Sequence, residues 1–345
     1  MNSYGVEVRR RRQNLLIVEG EHEKNQLFWL IFKCFPEIDI NMEDVWVYGT
    51  NIYMLYEDIQ DEYGENWIDE DMDVDLPLVI SNKQKLNTKC YRDNFINIIL
   101  VFDFERHDPK FSEEVILNMQ TYFNDATDVG KLYINYPMIE SYQHISRIPD
   151  NDYQHRKIPV TLQPGSMYKE LVRNETTIGP LVQLPYQIDG LLEKKFHVAD
   201  SKIRKDCCNQ ILDIFQEDKA REIIFGILNG VVDSSKLENT TNQLFHWIRG
   251  KGYWEKKRSY WGYMRSIFQE IIAHNICKAG KIQDKNFVVE VQNKVQCKEY
   301  VESIDFVKIL NIQNQVSRDK ENGFIWVLNT STLYVMDYNT QLLLS

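Results

Sequence analysis

Two short apolar runs, each ending in carboxylates, constrain this chain more than any other feature. Leu15-Leu16-Ile17-Val18 stops abruptly at Glu19-Gly20, and Glu23 follows one helical turn later. Further along, Ile98-Ile99-Leu100-Val101-Phe102 stops at Asp103-Phe104-Glu105. Runs without polar alternation are what strands buried on both faces look like, and such strands belong to parallel sheets. Strands of this kind bring their ends to one carboxyl edge, where α/β proteins bind ligands. Alternate strand residues share a face, so Asp103 and Glu105 project together.

The first 150 residues alternate strand and helix signals. Strands are expected at Asn14–Glu19, Val45–Tyr48, Asn94–Phe104 and Lys131–Tyr136. A helix is expected over Glu21–Phe35, because Leu27, Leu30, Ile31, Cys34 and Phe35 recur at helical spacing and Pro36 follows. A second has Ile52, Leu55, Tyr56 and Ile59 as its buried stripe, and a third runs over Ser112–Phe123 with Ser112 as N-cap. Repeated β-α-β units imply an α/β fold with a parallel sheet flanked by helices. After residue 150 the pattern becomes mainly helical: Cys208–Phe215, Lys219–Leu228, Asn242–Arg249 and Tyr260–Ala279, with one or two strands in Phe324–Leu344. This divides the chain into 1–150, an α/β domain, and 151–345, a mainly α-helical accessory domain with terminal strands.

Net charge is −11, which argues against a protein that simply coats nucleic acid. The charge is segregated. Glu57–Asp75 holds ten acids and no Lys or Arg and reads as an exposed insertion: a solvated loop, a dock for a basic partner, or a barrier to nucleic acid. Basic residues gather in Arg9–Arg12 and in Arg249–Arg265. In the second segment Lys251, Lys256, Lys257, Arg258 and Arg265 alternate with Tyr253, Trp254, Tyr260, Trp261 and Tyr263. Such cations contact phosphates while aromatics stack on bases; the alternative is a helical pair with its aromatics in the core. Arg10, Arg11 and Arg12 precede the first acidic strand and are further phosphate candidates. The six cysteines include no CxxC pair, so zinc is not expected. The apolar run after Arg12 is too short for a signal peptide and no run reaches membrane-spanning length, so a cytoplasmic protein is expected.

Several carboxylates converging on one edge bind Mg²⁺ or Mn²⁺, which prefer oxygen. Glu19, Asp103 and Glu105 are the leading ligands, with Asp108 and Glu140 as further ones. Glu19, Glu23 and Asp103 are the candidate catalytic acids, and Glu19, partly buried beside other acids, is the candidate for proton transfer.

The order of these signals resembles the TOPRIM family over roughly residues 10–145. Its pattern is an apolar strand ending in Glu-Gly, here Ile17-Val18-Glu19-Gly20. A strand and glycine turn follow at Val47-Tyr48-Gly49-Thr50-Asn51, then a strand ending in an acid pair, Val101-Phe102-Asp103-Phe104-Glu105. The spacing Glu19-Gly20-x-x-Glu23 is similar to nucleases of the overcoming-lysogenization-defect group. Asn135-Tyr136-Pro137-Met138-Ile139-Glu140-Ser141 resembles a segment of bacterial anti-phage TOPRIM effectors. The second acid of the pair is Glu105 where the family pattern has Asp. The resemblance implies a Mg²⁺- or Mn²⁺-dependent endonuclease that cuts DNA or a structured RNA such as tRNA. It also implies a toxic effector of abortive infection working with a separate ATPase, since the chain has no Walker A loop. A homodimer is left open. The rival reading is a catalytically degenerate TOPRIM protein that serves interaction or regulation.

Overall fold

The computed structural model describes residues 12–69, 72–162 and 165–345. Arg10 and Arg11 lie outside the described residues, as does the side chain of Arg12. The apolar runs become neighbouring central strands, β1 (Arg12–Val18) and β3 (Phe95–Asp103). Between them come a π-helical turn, Glu23–Phe28, which runs into α1 (Trp29–Cys34), then β2 (Val45–Val47), α2 (Ile52–Tyr63) and α3 (Leu76–Lys83). After β3 follow α4 (Glu113–Tyr122), β4 (Asn124–Asp125) and β5 (Gly130–Asn135). Strand order is β2-β1-β3-β5-β4, parallel except for the two-residue edge strand β4.

Helix ends follow their local chemistry. Asn51 caps α2 by accepting from Met54 N–H, Asp75 caps α3 through Leu78 N–H, and Ser112 caps α4 through Val115 N–H.

The chain continues through β6 (Lys157–Pro159), α5 (Ser166–Glu175), α6 (Gly179–Val182), α7 (Leu184–Lys194), α8 (Ser201–Leu212), α9 (Glu217–Leu228) and α10 (Ser234–Arg249). The longest helix, α11 (Tyr260–Gln283), is buried along most of its length. A Cβ at Gly280 would lie 2.4 Å from the Phe287 ring, so only glycine admits that contact. After α12 (Lys294–Tyr300) and α13 (Phe306–Ser317), β7 (Phe324–Trp326) pairs antiparallel with β6. Buried residues of β1, β3 and α11 belong to one continuous core.

Two expectations are corrected. The acidic segment is not an exposed insertion. Residues 57–63 complete α2, and beyond Gly64 the Trp67 ring is fully buried against Tyr56, Tyr122 and Phe123. Its acids are partly neutralised: Glu57 pairs with Lys110 and Asp58 with Lys83. The pattern misled because an acidic helix face and a short apolar anchor look alike to a charge count. In Phe324–Leu344, only Phe324–Trp326 is strand. The rest folds into helical turns, including α14 (Tyr334–Tyr338), which bury Leu333, Tyr334, Val335 and Met336. Among the described residues no helix is long and apolar enough to cross a membrane.

Candidate functional site

Parallel pairing sets the geometry. Val18 is in register with Val101, and Asp103 with Asn135. Glu19 therefore leaves β1 beside the end of β3, where its N–H donates to Val101 O at 3.2 Å and its Oε2 accepts from Asp103 N–H at 3.2 Å. Glu105 lies two residues on, with φ +45 in the left-handed region that a Cβ disfavours. That twist holds its carboxylate with the others. Glu19, Asp103 and Glu105 each offer an oxygen within 4.8 Å of the other two.

Glu23 and Glu140 complete an outer arc. Glu23 is buried at the start of the π-helical turn. Such widened turns are often found at functional sites. A Cβ at Gly20 would lie 3.0 Å from Glu23 Oε2, so the Glu-Gly pair lets this carboxylate approach the backbone. Glu140 sits in the 3-10 turn Ile139–Gln143, with His22 Nε2 at 3.3 Å and Lys169 Nζ at 3.1 Å from its Oε1. Asn329 fastens this turn by donating from Nδ2 to Ile139 O and Ser141 Oγ, both at 3.1 Å.

Crowding and burial change the acids. Burial pushes Glu19 up to about 8, with Glu105, Glu23 and Asp108 adding to the shift while the Asp103 N–H opposes it. Asp103 is raised well above the ordinary range by burial, then by Glu19, Glu23 and Glu140. Burial also raises Glu23 and Glu105, and Lys169 restrains Glu105. Asp103 is 3 % exposed and its Oδ1 has no hydrogen-bond partner. A buried carboxylate oxygen without a donor calls for a proton or a cation. Three converging carboxylates with such an oxygen fit a hard, oxygen-preferring divalent cation.

Comparison with protein-family models, curated proteins and solved structures gives no match.

The remaining candidates are placed differently. Asp108 is engaged elsewhere: Oδ2 accepts from Asn51 Nδ2 and Oδ1 from Lys110 N–H, each at 2.7 Å. This ties the turn after β2 to the turn after β3. In the basic segment, Tyr253, Trp254 and Tyr260 are buried. Trp254 Nε1 donates to Ile214 O and Tyr260 OH to Leu181 O. These aromatics face the core and form no open stacking surface. Arg265 pairs with Glu37 at 2.9 Å and reaches Cys34 O at the far end of α1, while Lys256, Lys257 and Arg258 are exposed. Arg265 therefore bonds the end of α1 opposite to the turn that carries Glu23. Arg12 begins β1 opposite Phe95, at the amino edge and away from the carboxylates.

Lys169 is the site residue that the sequence did not reveal. It comes from α5, and nothing in its neighbourhood distinguishes it from other helical lysines. Burial works against its charge, but Glu140, Asp103 and Glu23 outweigh that and raise its pKa.

Proposed function

We propose that the chain is a TOPRIM-type, divalent-cation-dependent nuclease that hydrolyses phosphodiesters of DNA or of a structured RNA such as tRNA. The observation that carries this reading is the convergence of Glu19, Asp103 and Glu105 within 4.8 Å at the carboxyl ends of adjacent parallel strands. The β1–β3 arrangement and the Glu19-Gly20 turn agree with the family pattern in the sequence. Bound there, Mg²⁺ or Mn²⁺ would polarise the phosphodiester and lower the pKa of an attacking water.

The protein's own groups divide the remaining work. Asp103 and Glu105 would hold the cation. Glu19 Oε2 is fixed by the Asp103 N–H, which leaves Oε1 as the oxygen to share the cation or to move a proton. Lys169, held 3.1 Å from Glu140, is placed to offset negative charge where a phosphate would approach. A separate ATPase partner and a role as a toxic anti-phage effector belong to the same reading. A pull-down from the native host that recovers no ATPase argues against that part.

The test is cleavage of plasmid, single-stranded DNA and total tRNA with Mg²⁺ or Mn²⁺, comparing wild type with Glu19→Ala. Cleavage by wild type alone supports the reading and names the substrate class. Equal activity in both proteins assigns it to a contaminant and removes the reading.

The second reading, a degenerate fold that serves interaction, draws on Lys169. An internal cation beside Glu140 neutralises part of the charge that a metal would otherwise balance. A folded wild type that binds no Mn²⁺ and cuts none of the three substrates would favour this second reading.

A further inference from the structure

Beside the carboxylates lies a cavity of about 520 Å³, within the roughly 300–1,000 Å³ typical of small-molecule pockets. Its chemistry differs from that of the acidic cluster. Gln26 enters from the π-helical turn, Gln143 from the turn that carries Glu140, Gln183 from the junction of α6 and α7, and Gln187 from α7. Lys169 and Arg173 of α5 also line it, and Glu140 forms a wall shared with the acidic site.

Four primary amides around one space are unusual for a phosphate site. An amide offers a carbonyl acceptor and two N–H donors, the combination that reads base edges. A phosphate presents acceptors only, and Lys169 and Arg173 already supply its donors. Most of this amide capacity is left open by the fold. Gln26 Oε1 is buried without a partner. Gln143 Nε2 donates to Tyr142 OH at 2.8 Å. The side chains of Gln183 and Gln187 have no hydrogen bond among the described residues. Gln187 is exposed and Gln183 partly so, so both are available to a ligand.

We propose that this cavity holds an unpaired nucleobase next to the phosphate being cut, so that the substrate is a single strand or a loop, not continuous duplex. The proposal rests on the nuclease reading above. In a duplex the Watson–Crick edges are occupied and the base is stacked. Only a splayed or flipped base can present that edge to a recess lined by amides. The cations at the rim then receive the flanking phosphate, and the shared Glu140 wall sets the next linkage beside Glu19 and Asp103.

The test is binding of the full-length Glu19→Gln protein, which keeps labelled strands intact, in Ca²⁺. Probes are short fluorescein-labelled single-stranded RNA and DNA and blunt duplexes of the same sequence, read by anisotropy. Single strands are expected to bind about tenfold tighter than duplex, and adding Gln183→Ala/Gln187→Ala is expected to cost about tenfold on single strands, the order of a lost base-edge contact. The variant's melting curve should match its parent's, because neither side chain bonds the fold. Equal affinity for both forms, no binding to either, or single-strand binding untouched by the double substitution overturns the proposal. The two readings separate cleanly. Plasmid cleavage without base dependence removes the pocket and leaves the nuclease. Base-dependent binding with no cleavage by wild type removes the nuclease and leaves the pocket.

Discussion

Glu19 Oε2 accepts the backbone N–H of Asp103 at 3.2 Å, so the first acid after β1 is locked to the last residue of β3. Glu19 cannot swing away from the end of β3 without giving up this bond. The site is held in a charged, partly dehydrated arrangement that favours protons or a cation, and its cost must be visible in stability.

Asp103→Asn should show that cost. The substitution keeps the shape and removes a buried carboxyl that must either carry charge or take up a proton on folding. We expect the cation-free protein to melt about 1–2 °C higher, the order of a 1 kcal/mol gain, and phosphodiester cleavage to be lost. Differential scanning calorimetry with and without chelator checks the first half. A lower melting temperature would mean that Asp103 is already neutralised by a partner.

The pH dependence follows from Glu19. An ordinary glutamate titrates near 4.5, whereas Glu19 keeps its proton to about 8. Between these values the folded state holds a proton that the unfolded state has released. The contribution is fully present below 4.5 and is lost as pH rises through 8, a fall on the order of a few kcal/mol. Urea midpoints of the chelated protein should decline across that window. Because cation binding displaces protons, added Mg²⁺ should restore more stability at pH 8 than at pH 5.5. Midpoints that do not change with pH would contradict the burial of Glu19.

Glu105 gives a backbone prediction. At φ +45 a residue with a Cβ carries strain that glycine does not. Glu105→Gly should leave stability unchanged or raise it by up to about 1 kcal/mol, while cation affinity falls because one of three ligands is gone. Denaturant titration and Mn²⁺ titration of the same sample separate the two effects. A marked loss of stability would show that the Glu105 side chain holds the turn instead.

The acidic segment divides into parts with opposite sensitivities. Trp67 is fully buried, and Trp67→Ala should cost about 3–5 kcal/mol. Glu65 and Asp69 are exposed, and replacing both with Lys should change stability by less than about 0.5 kcal/mol each. Thermal melts of the two variants check this. A mild Trp67→Ala would restore the view of the segment as a loose insertion.

The central strands were legible because β1 and β3 are unbroken apolar runs, and a run of that kind followed by acids has few other placements. The three carboxylates came with them, since strand ends in a parallel sheet share an edge. Glu140 was visible as a residue, but the reason it faces the site was not. The turn that carries it is fastened by Asn329 from the other end of the chain, and Asn329 reads in sequence as a turn former. Lys169 and the four glutamines come from separate helices and turns, and nothing in the sequence marks which neighbour each meets. The C-terminal stretch misread as strand is rich in Val, Leu and Tyr, and short buried runs of these residues suit strand and helix alike. The Arg249–Arg265 aromatics were ambiguous for the same reason, because interleaved cations and rings describe both a binding surface and the rim of a core.

The most direct test of the carboxylate centre is isothermal titration of Mn²⁺ into the chelated full-length protein, beside Asp103→Asn and Glu19→Gln variants shown by circular dichroism to be folded. We expect saturable binding by wild type, weakened by at least about tenfold in either variant, with protons released on binding. Absence of binding by the folded wild type, or equal binding by all three proteins, would contradict a divalent-cation site built from Glu19, Asp103 and Glu105.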